Sequence, residues 1–297
     1  MALQEPCFDA TAEVRRLSGI PPDPLYIAAR RVLLDAVEAS IPYRRSLILV
    51  GAQAVYLRTA QARLAVTPFT IDGDIAIDPS SMPISPPLEE ALSAAGFNAG
   101  TQPGNWMRVT DVEGRDVRVE VDFMVPDAVA PGSGTRSVEL EGHSRRATRR
   151  VVGLEAALVD HSWMEIAAIE IADRRRFTIG VAGAAALVVS KTHKIADRKA
   201  TARGARTDVD KDAGDIYRLM QVIGVSEMAA GFRKALGASV SREVTHRALG
   251  QLEELFGRAA LPGVDMVIRT VGADRQASDT IRATLTAYVS ALRSALS

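Results

Sequence analysis

The chain is poor in the residues that build several common kinds of protein. It has a single cysteine, Cys7, so no disulfide framework can form, and that usage fits a reducing compartment. Its four histidines (His143, His161, His193 and His246) stand at no ligand spacing, and none reads as a metal site. No apolar stretch approaches the roughly 20 residues needed to span a bilayer. The opening MALQEPCFDATAEVRR carries no apolar run of the signal-peptide kind, so the expectation is a cytoplasmic protein. Net charge is absent as well: 36 Lys and Arg balance 36 Asp and Glu, so total charge points to no polyanionic partner. Aromatic residues make up 5% and hydrophobic residues 47%, the profile of a globular chain with enough apolar mass for a substantial core. Trp106 and Trp163 read as core or edge packing.

What is present is local. Basic residues gather at Arg145, Arg146, Arg149 and Arg150, at Arg174 to Arg176, and at Lys191, Lys194, Arg198, Lys199, Arg203 and Arg206. Such patches either steer a phosphate-bearing ligand or are solvated helix and turn faces. Residues 1–24 read as a lead-in ending in the turn-rich IPPDP. Helical spacing of Ile27, Val32, Leu33 and Val37 predicts a helix from Leu25 to about Ser40. SLILV (Ser46 to Val50) reads as a buried strand, Gly51 punctuates it, and a helix follows from Ala52 to Arg58. Ile71 to Ile77 (IDGDIAI) alternates apolar and polar residues, the period of a strand with one wet face. A helix over Leu88 to Ala95 is stopped by Gly96. Strands are predicted at Trp106 to Thr110 and Val117 to Val125, with Gly114 in the turn, a loop at Asp127 to Thr135, then strands at Met164 to Ile171 and Arg176 to Val181. From Ala184 the pattern is helical to the end.

The chemistry-bearing feature is a set of carboxylates on neighbouring strands. The pleat puts Asp72 and Asp74 on one face, about 7 Å apart along the strand. Two like charges so placed are costly unless cations neutralise them, and oxygen-only ligands suit Mg²⁺. Asp122, on the less apolar face of its strand, suits a third ligand bridging two ions; Glu120 on the same face is its rival. Upstream, Gly51 opens a helix. There it either brings backbone amides onto phosphate oxygens or makes a plain strand-to-helix turn. Strand, Gly-helix, DxD strand and third acidic strand follow the order of the DNA polymerase β-like nucleotidyltransferase fold.

Four segments resemble the motifs of the AbiEii and MenT-type nucleotidyltransferase toxins. LVGAQAVYLR (Leu49 to Arg58) resembles their Gly-Gly/Ser opening motif, with Ala52 in the second small-residue position. TIDGD (Thr70 to Asp74) is similar to their Ser/Thr-x-Asp-x-Asp metal motif, with Gly73 replacing the usual apolar residue. KTHKIADR (Lys191 to Arg198) resembles their Lys and Arg helix, and KDAGDIY (Lys211 to Tyr217) their Lys/Arg-Asp-x-x-Asp segment. The resemblance implies an α+β fold: an N-terminal nucleotidyltransferase mixed sheet with flanking helices over 25–182, then a C-terminal helical domain over 183–297.

It also implies roles. Asp72, Asp74 and Asp122 would hold two Mg²⁺ ions, and Gly51 and Ala52 would meet the phosphates of a nucleoside triphosphate. Thr70 would touch phosphate or serve only as a strand residue. Lys191 would neutralise the triphosphate, with Lys194 and Arg198 on the same helix face. Asp212, with Asp215 beside it at i+3, would orient Lys191 or a base, or simply favour a helix start. The implied reaction moves a nucleotide from an NTP to the 3′ end of tRNA, as the toxin of a toxin–antitoxin pair. Two other expectations keep the same core: transfer to a protein or a small molecule such as an aminoglycoside, and a catalytically degenerate binding or interaction module.

Overall fold

In a computed structural model, residues 22–60, 69–132, 136–201 and 206–297 are described. The lead-in up to residue 21, and Arg203 among the basic residues named above, lie outside them. The fold is α+β, a mixed sheet followed by a helical region.

Helix α1 (Pro24–Ala39) starts where the sequence places it: Asp23 caps it by accepting from the Leu25 amide at 2.8 Å, and Pro24 occupies the first turn. Strand β1 (Leu47–Val50) leads directly into α2 (Gly51–Arg58), and β2 (Asp72–Ile77) follows. After α3 (Leu88–Ala94) come a short β3 (Asn98–Ala99) and the hairpin β4 (Asn105–Val112) and β5 (Arg115–Pro126). The hairpin closes through Glu113 and Gly114, both at positive φ (54° and 78°), the geometry whose twist matches the flanking strands. Two short strands, β6 (Ser137–Val138) and β7 (Thr148–Val151), precede β8 (His161–Ala167) and β9 (Arg176–Ala182). Helices α4 (Ala184–Thr201), α5 (Arg206–Val222), α6 (Val225–Gly237), α7 (Arg242–Phe256), α8 (Pro262–Val271) and α9 (Arg275–Leu296) complete the chain.

Among the described residues the strands form one mixed sheet, ordered β3-β4-β5-β2-β1-β9-β8, with β7 joining β5 beyond the start of β4. The register matters for function. β2 lies between β1 and β5, antiparallel to the first and parallel to the second, so that Asp74 is opposite Val50 on one side and Asp122 on the other. Leu33 of α1 covers the reverse side of β2: a Cβ on Gly73 would come within 3.1 Å of it. Gly73 therefore lets α1 seat closely against the strand.

One continuous buried core runs from α1 and the sheet into the C-terminal helices. Arg269 of α8 makes a two-point contact with Asp210 at 2.7 Å, and Thr270 donates to the Asp210 carbonyl, which fixes α5 lengthwise. Trp106 is buried in this core, while Trp163 is half exposed on edge strand β8.

Two sequence expectations shift. The strand predicted over Met164 to Ile171 runs instead over His161–Ala167, because it pairs along β9 in the register His161 opposite Ala182. Thr148–Val151, read only as part of a basic cluster, is a strand.

Buried Arg30 ties α1 to its neighbours, donating to Gln53 Oε1 at 2.8 Å, the Ala167 carbonyl at 2.9 Å and the Tyr26 hydroxyl at 3.1 Å. Arg30→Ala strands those acceptors and is expected to lower unfolding free energy by about 2–4 kcal/mol, measured by urea denaturation. A change below about 0.5 kcal/mol contradicts this role for Arg30.

Candidate active site

The site begins at the β2–β5 register. Asp72 and Asp74 project from one face of β2, and Asp122 sits beside Asp74 on the parallel neighbour. Asp74 is buried against Gly51, whose φ is +68° and whose missing Cβ would lie 2.0 Å from Asp74 Oδ2. Gly51 thus has two reasons to be glycine, its backbone and its neighbour. Burial, then the charges of Asp72 and Asp122, push the Asp74 carboxyl above the ordinary carboxylate range.

Asp72 goes the other way. Burial would raise it, but the Thr70 hydroxyl donates to its Oδ1, and Lys211, Lys194 and Lys191 add positive field, so it is held below the ordinary range. Gln53 Nε2 fixes the Asp72 carbonyl at 2.9 Å. Thr70 is fully buried and uses its hydroxyl twice, accepting from Lys211 Nζ at 3.1 Å while it donates to Asp72. It serves the carboxylate, where the resemblance implied phosphate contact.

Asp122 is differently placed. Its Oδ1 accepts from Arg149 Nη1 at 2.6 Å and Asn105 Nδ2 at 2.9 Å, and its Oδ2 from Arg149 Nη2 at 2.6 Å. Glu120, the rival, is exposed, opposite Asp72, and bonded to Asn105 at 3.0 Å. Among the described residues no three His, Cys, Asp or Glu side chains converge as a ready metal cage. Asp72 and Asp74 suit a hard cation as oxygen donors whose crowding a cation would relieve. On Asp122 three of about four acceptor directions are already taken, both of those on Oδ1 and one on Oδ2.

The helical region contributes cations in two states. Lys191, buried, donates to Asp212 Oδ1 at 2.8 Å and Asp215 Oδ2 at 2.6 Å, while Arg198 Nη1 reaches Asp212 Oδ2 at 2.7 Å. Burial alone would drive the Lys191 ammonium down; the two carboxylates overcome it and hold it well above the ordinary lysine range. Asp212 is correspondingly held low by Lys191 and Lys194 against the upward push of burial. Lys191 and Arg198 are therefore engaged with acids, where the resemblance implied a phosphate. Lys194 has no hydrogen-bond or ion-pair partner among the described residues, and its charge acts on Asp72, Asp74 and Asp212. Among the described residues Lys211 makes one hydrogen bond, to the Thr70 hydroxyl, and its charge acts on Asp72. The N-cap of α2, Val50, supplies no side-chain acceptor to its first-turn amides.

Of the residues singled out in the sequence, the fold brings Asp72, Asp74, Asp122, Thr70, Gly51 and Lys194 into one neighbourhood and joins Lys191 to Asp212 and Asp215. Sequence reading misses Arg149, Asn105 and Lys211 as members. Lys211 stood inside a recognised segment; nothing near Arg149 or Asn105 in sequence signals where they go.

The basic clusters are mostly spent inside the fold. Arg145 pairs with Glu139, Arg146 donates to the Gly100 carbonyl, and Arg150 reaches Asp127 and the carbonyls of residues 130–132. Arg175 joins Asp173, Asp35 and Glu38. An open groove of about 1000 Å³ between residues 79–84 and 139–143 shares no residue with the site. No helix among the described residues is long and apolar enough to cross a membrane. No protein-family model, curated protein or solved structure matches this chain.

The two aspartates of β2 should respond to charge removal with opposite signs. Asp74 has a folded pKa above its unfolded value, so its contribution to stability is full below about pH 4 and lost as pH rises. Asp72 has a depressed folded pKa, so its contribution is present at neutral pH and lost on acidification. At pH 7.5 without divalent ions, Asp74→Asn is expected to raise the melting temperature by roughly 2 °C or more and Asp72→Asn to lower it. The Asp74 difference should shrink toward pH 4, whereas the Asp72 difference should persist there and shrink only as pH falls below about 4, as thermal unfolding followed by circular dichroism would record. Shifts of the same sign rule out this division of charge.

Proposed function

We propose that this chain is a magnesium-dependent nucleotidyltransferase that moves a nucleotide from an NTP to the 3′ end of tRNA. The supporting observation is the pairing of Asp72 and Asp74 on one strand face with two lightly engaged lysines, Lys194 and Lys211, beside them. Anionic oxygens for a metal next to unspent ammonium groups are what a metal–triphosphate needs.

In this reading Asp72 and Asp74 would hold the magnesium, which when bound polarises the phosphoryl oxygens and neutralises developing charge. Gly51 admits the α2 amides to the edge of the carboxylate pair, where phosphate oxygens favour uncapped N–H groups. Lys194 would accept charge as pyrophosphate leaves. Lys191, Asp212, Asp215 and Arg198 form a preorganised ionic scaffold that fixes α4 against α5 and so aims Lys194 and Lys211. The acceptor hydroxyl attacks the α-phosphorus, its new P–O bond forming as the α–β bridging bond breaks. The tRNA acceptor, a role as toxin and a cognate antitoxin rest on the four resembling segments. A degenerate binding module is the second reading, favoured by one observation: the guanidinium already seated on Asp122.

Purified protein incubated with Mg²⁺, bulk tRNA and each α-labelled NTP should label tRNA with one NTP preferred. Asp72→Ala and Asp74→Ala should each reduce labelling by at least about 10²-fold, and Lys194→Ala should act mainly on KM for the NTP. Label appearing in protein or small molecules redirects the acceptor. No label in any species, with folded protein and intact nucleotide binding, favours the degenerate module.

A further inference from the structure

We propose that the Arg149 guanidinium takes the place of a second divalent cation, so that the carboxylate site accepts one ion, at Asp72 and Asp74. The inference rests on the nucleotidyl-transfer reading and departs from the two-ion arrangement that the sequence resemblance implies.

A bridging carboxylate must offer oxygens toward both ions. Asp122 instead receives a two-point fork from Arg149 at 2.6 Å through each terminal nitrogen, and a third bond from Asn105 at 2.9 Å. Charge-assisted forks of this geometry are the stronger class of hydrogen bond, and arginine cannot escape by losing its proton. Nor is the guanidinium a surface side chain that drifted inward. Arg149 lies on β7, whose parallel register sets it opposite Met124, two residues past Asp122. Its side chain is only 14% exposed. Asn105 is placed as firmly, directly opposite Asp122 across the β4–β5 ladder.

A divalent ion at Asp122 would therefore have to share a carboxylate with a fixed positive charge, or expel that charge from a mostly buried position. Both are unfavourable, since removing one partner of such a pair leaves the other uncompensated. Among the described residues no guanidinium is hydrogen-bonded to Asp72 or Asp74, although the Arg149 charge also reaches Asp74. Asp72 accepts a neutral hydroxyl, and Lys194, which has no hydrogen-bond or ion-pair partner among the described residues, has a flexible stem that can follow a phosphate.

The test is manganese binding to the whole chain with a non-hydrolysable nucleoside triphosphate analogue, followed by electron paramagnetic resonance. Wild type is expected to bind one Mn²⁺ per chain without Mn–Mn coupling, and Asp122→Asn to leave that number at one. Arg149→Met should admit a second ion, giving the coupled signal of two ions about 3.5–4 Å apart. If Arg149→Met does not fold, Arg149→Lys, which keeps charge but loses the fork, should remain at one ion. Two coupled ions in wild type, falling to one in Asp122→Asn, overturn the proposal while leaving nucleotidyl transfer standing. A folded Arg149→Met that stays at one ion also overturns it. No bound manganese in any variant removes both this proposal and the nucleotidyl-transfer reading.

Discussion

Carboxylates forced together out of water dislike being charged, and the β2–β5 register forces three into one neighbourhood. Parallel pairing of Asp74 with Asp122, and the two-residue strand repeat that sets Asp72 beside Asp74, leave no freedom to separate them. Everything around them answers that crowding in a different way. Asp122 is neutralised by a guanidinium, Asp72 by a hydroxyl and ammonium charge, and Asp74, among the described residues, only by the fields of Lys194, Lys191 and Arg149. The raised pKa of Asp74 is the residue of the problem left unsolved by the protein itself. A group strained in this manner beside two further carboxylates is a place to expect a cation-dependent function.

The lysines sort by the same logic. Lys191 is buried among Asp212, Asp215 and the reach of Arg198, a set with two acids and two bases joined by three ion pairs. Such a buried set contributes little net stability compared with apolar packing, yet removing one member leaves uncompensated charge. Its structural consequence is to fix α4 against α5, with Asp210 and Arg269 fixing α5 against α8. Lys194, one turn beyond Lys191, and Lys211, the neighbour of Asp212, are then presented with their charges unspent.

How much of this was legible in the sequence follows from range. The strand–Gly–helix unit, the IDGDIAI alternation, the capped start of α1 and the Gly114 hairpin turn are all governed by neighbours within a few residues, and each lies where local pattern puts it. Gly73 stood in the sequence only as a departure from the resembling motif; its reason is Leu33, forty residues away on α1. Arg149 read as one of four clustered basic residues, because nothing within a short window reveals that β7 continues alongside β5 and delivers that side chain to Asp122. Likewise the pairing of Lys191 with Asp212 and Asp215 depends on how two helices cross, which periodicity within either one does not set.

The same argument changes how the basic clusters bear on an RNA acceptor. In the sequence, Arg145, Arg146, Arg149 and Arg150 and Arg174 to Arg176 read either as patches that steer a phosphate-bearing ligand or as solvated faces. In the fold most of those guanidiniums close loops and strand ends by binding carbonyls and acids of their own chain. A guanidinium so engaged adds little to counterion-releasing contacts with a polyanion, which need cations free to exchange partners. Exposed Arg44, Arg45, Arg115, Arg118, Arg174 and Lys199 are among the more available charges of the described residues, with Lys194 and Lys211 near the carboxylates. Recognition of a large anionic acceptor by this chain would therefore draw on scattered cations placed by the fold rather than on the runs that stand out in the sequence. Clustering along a chain measures neither exposure nor freedom from a partner.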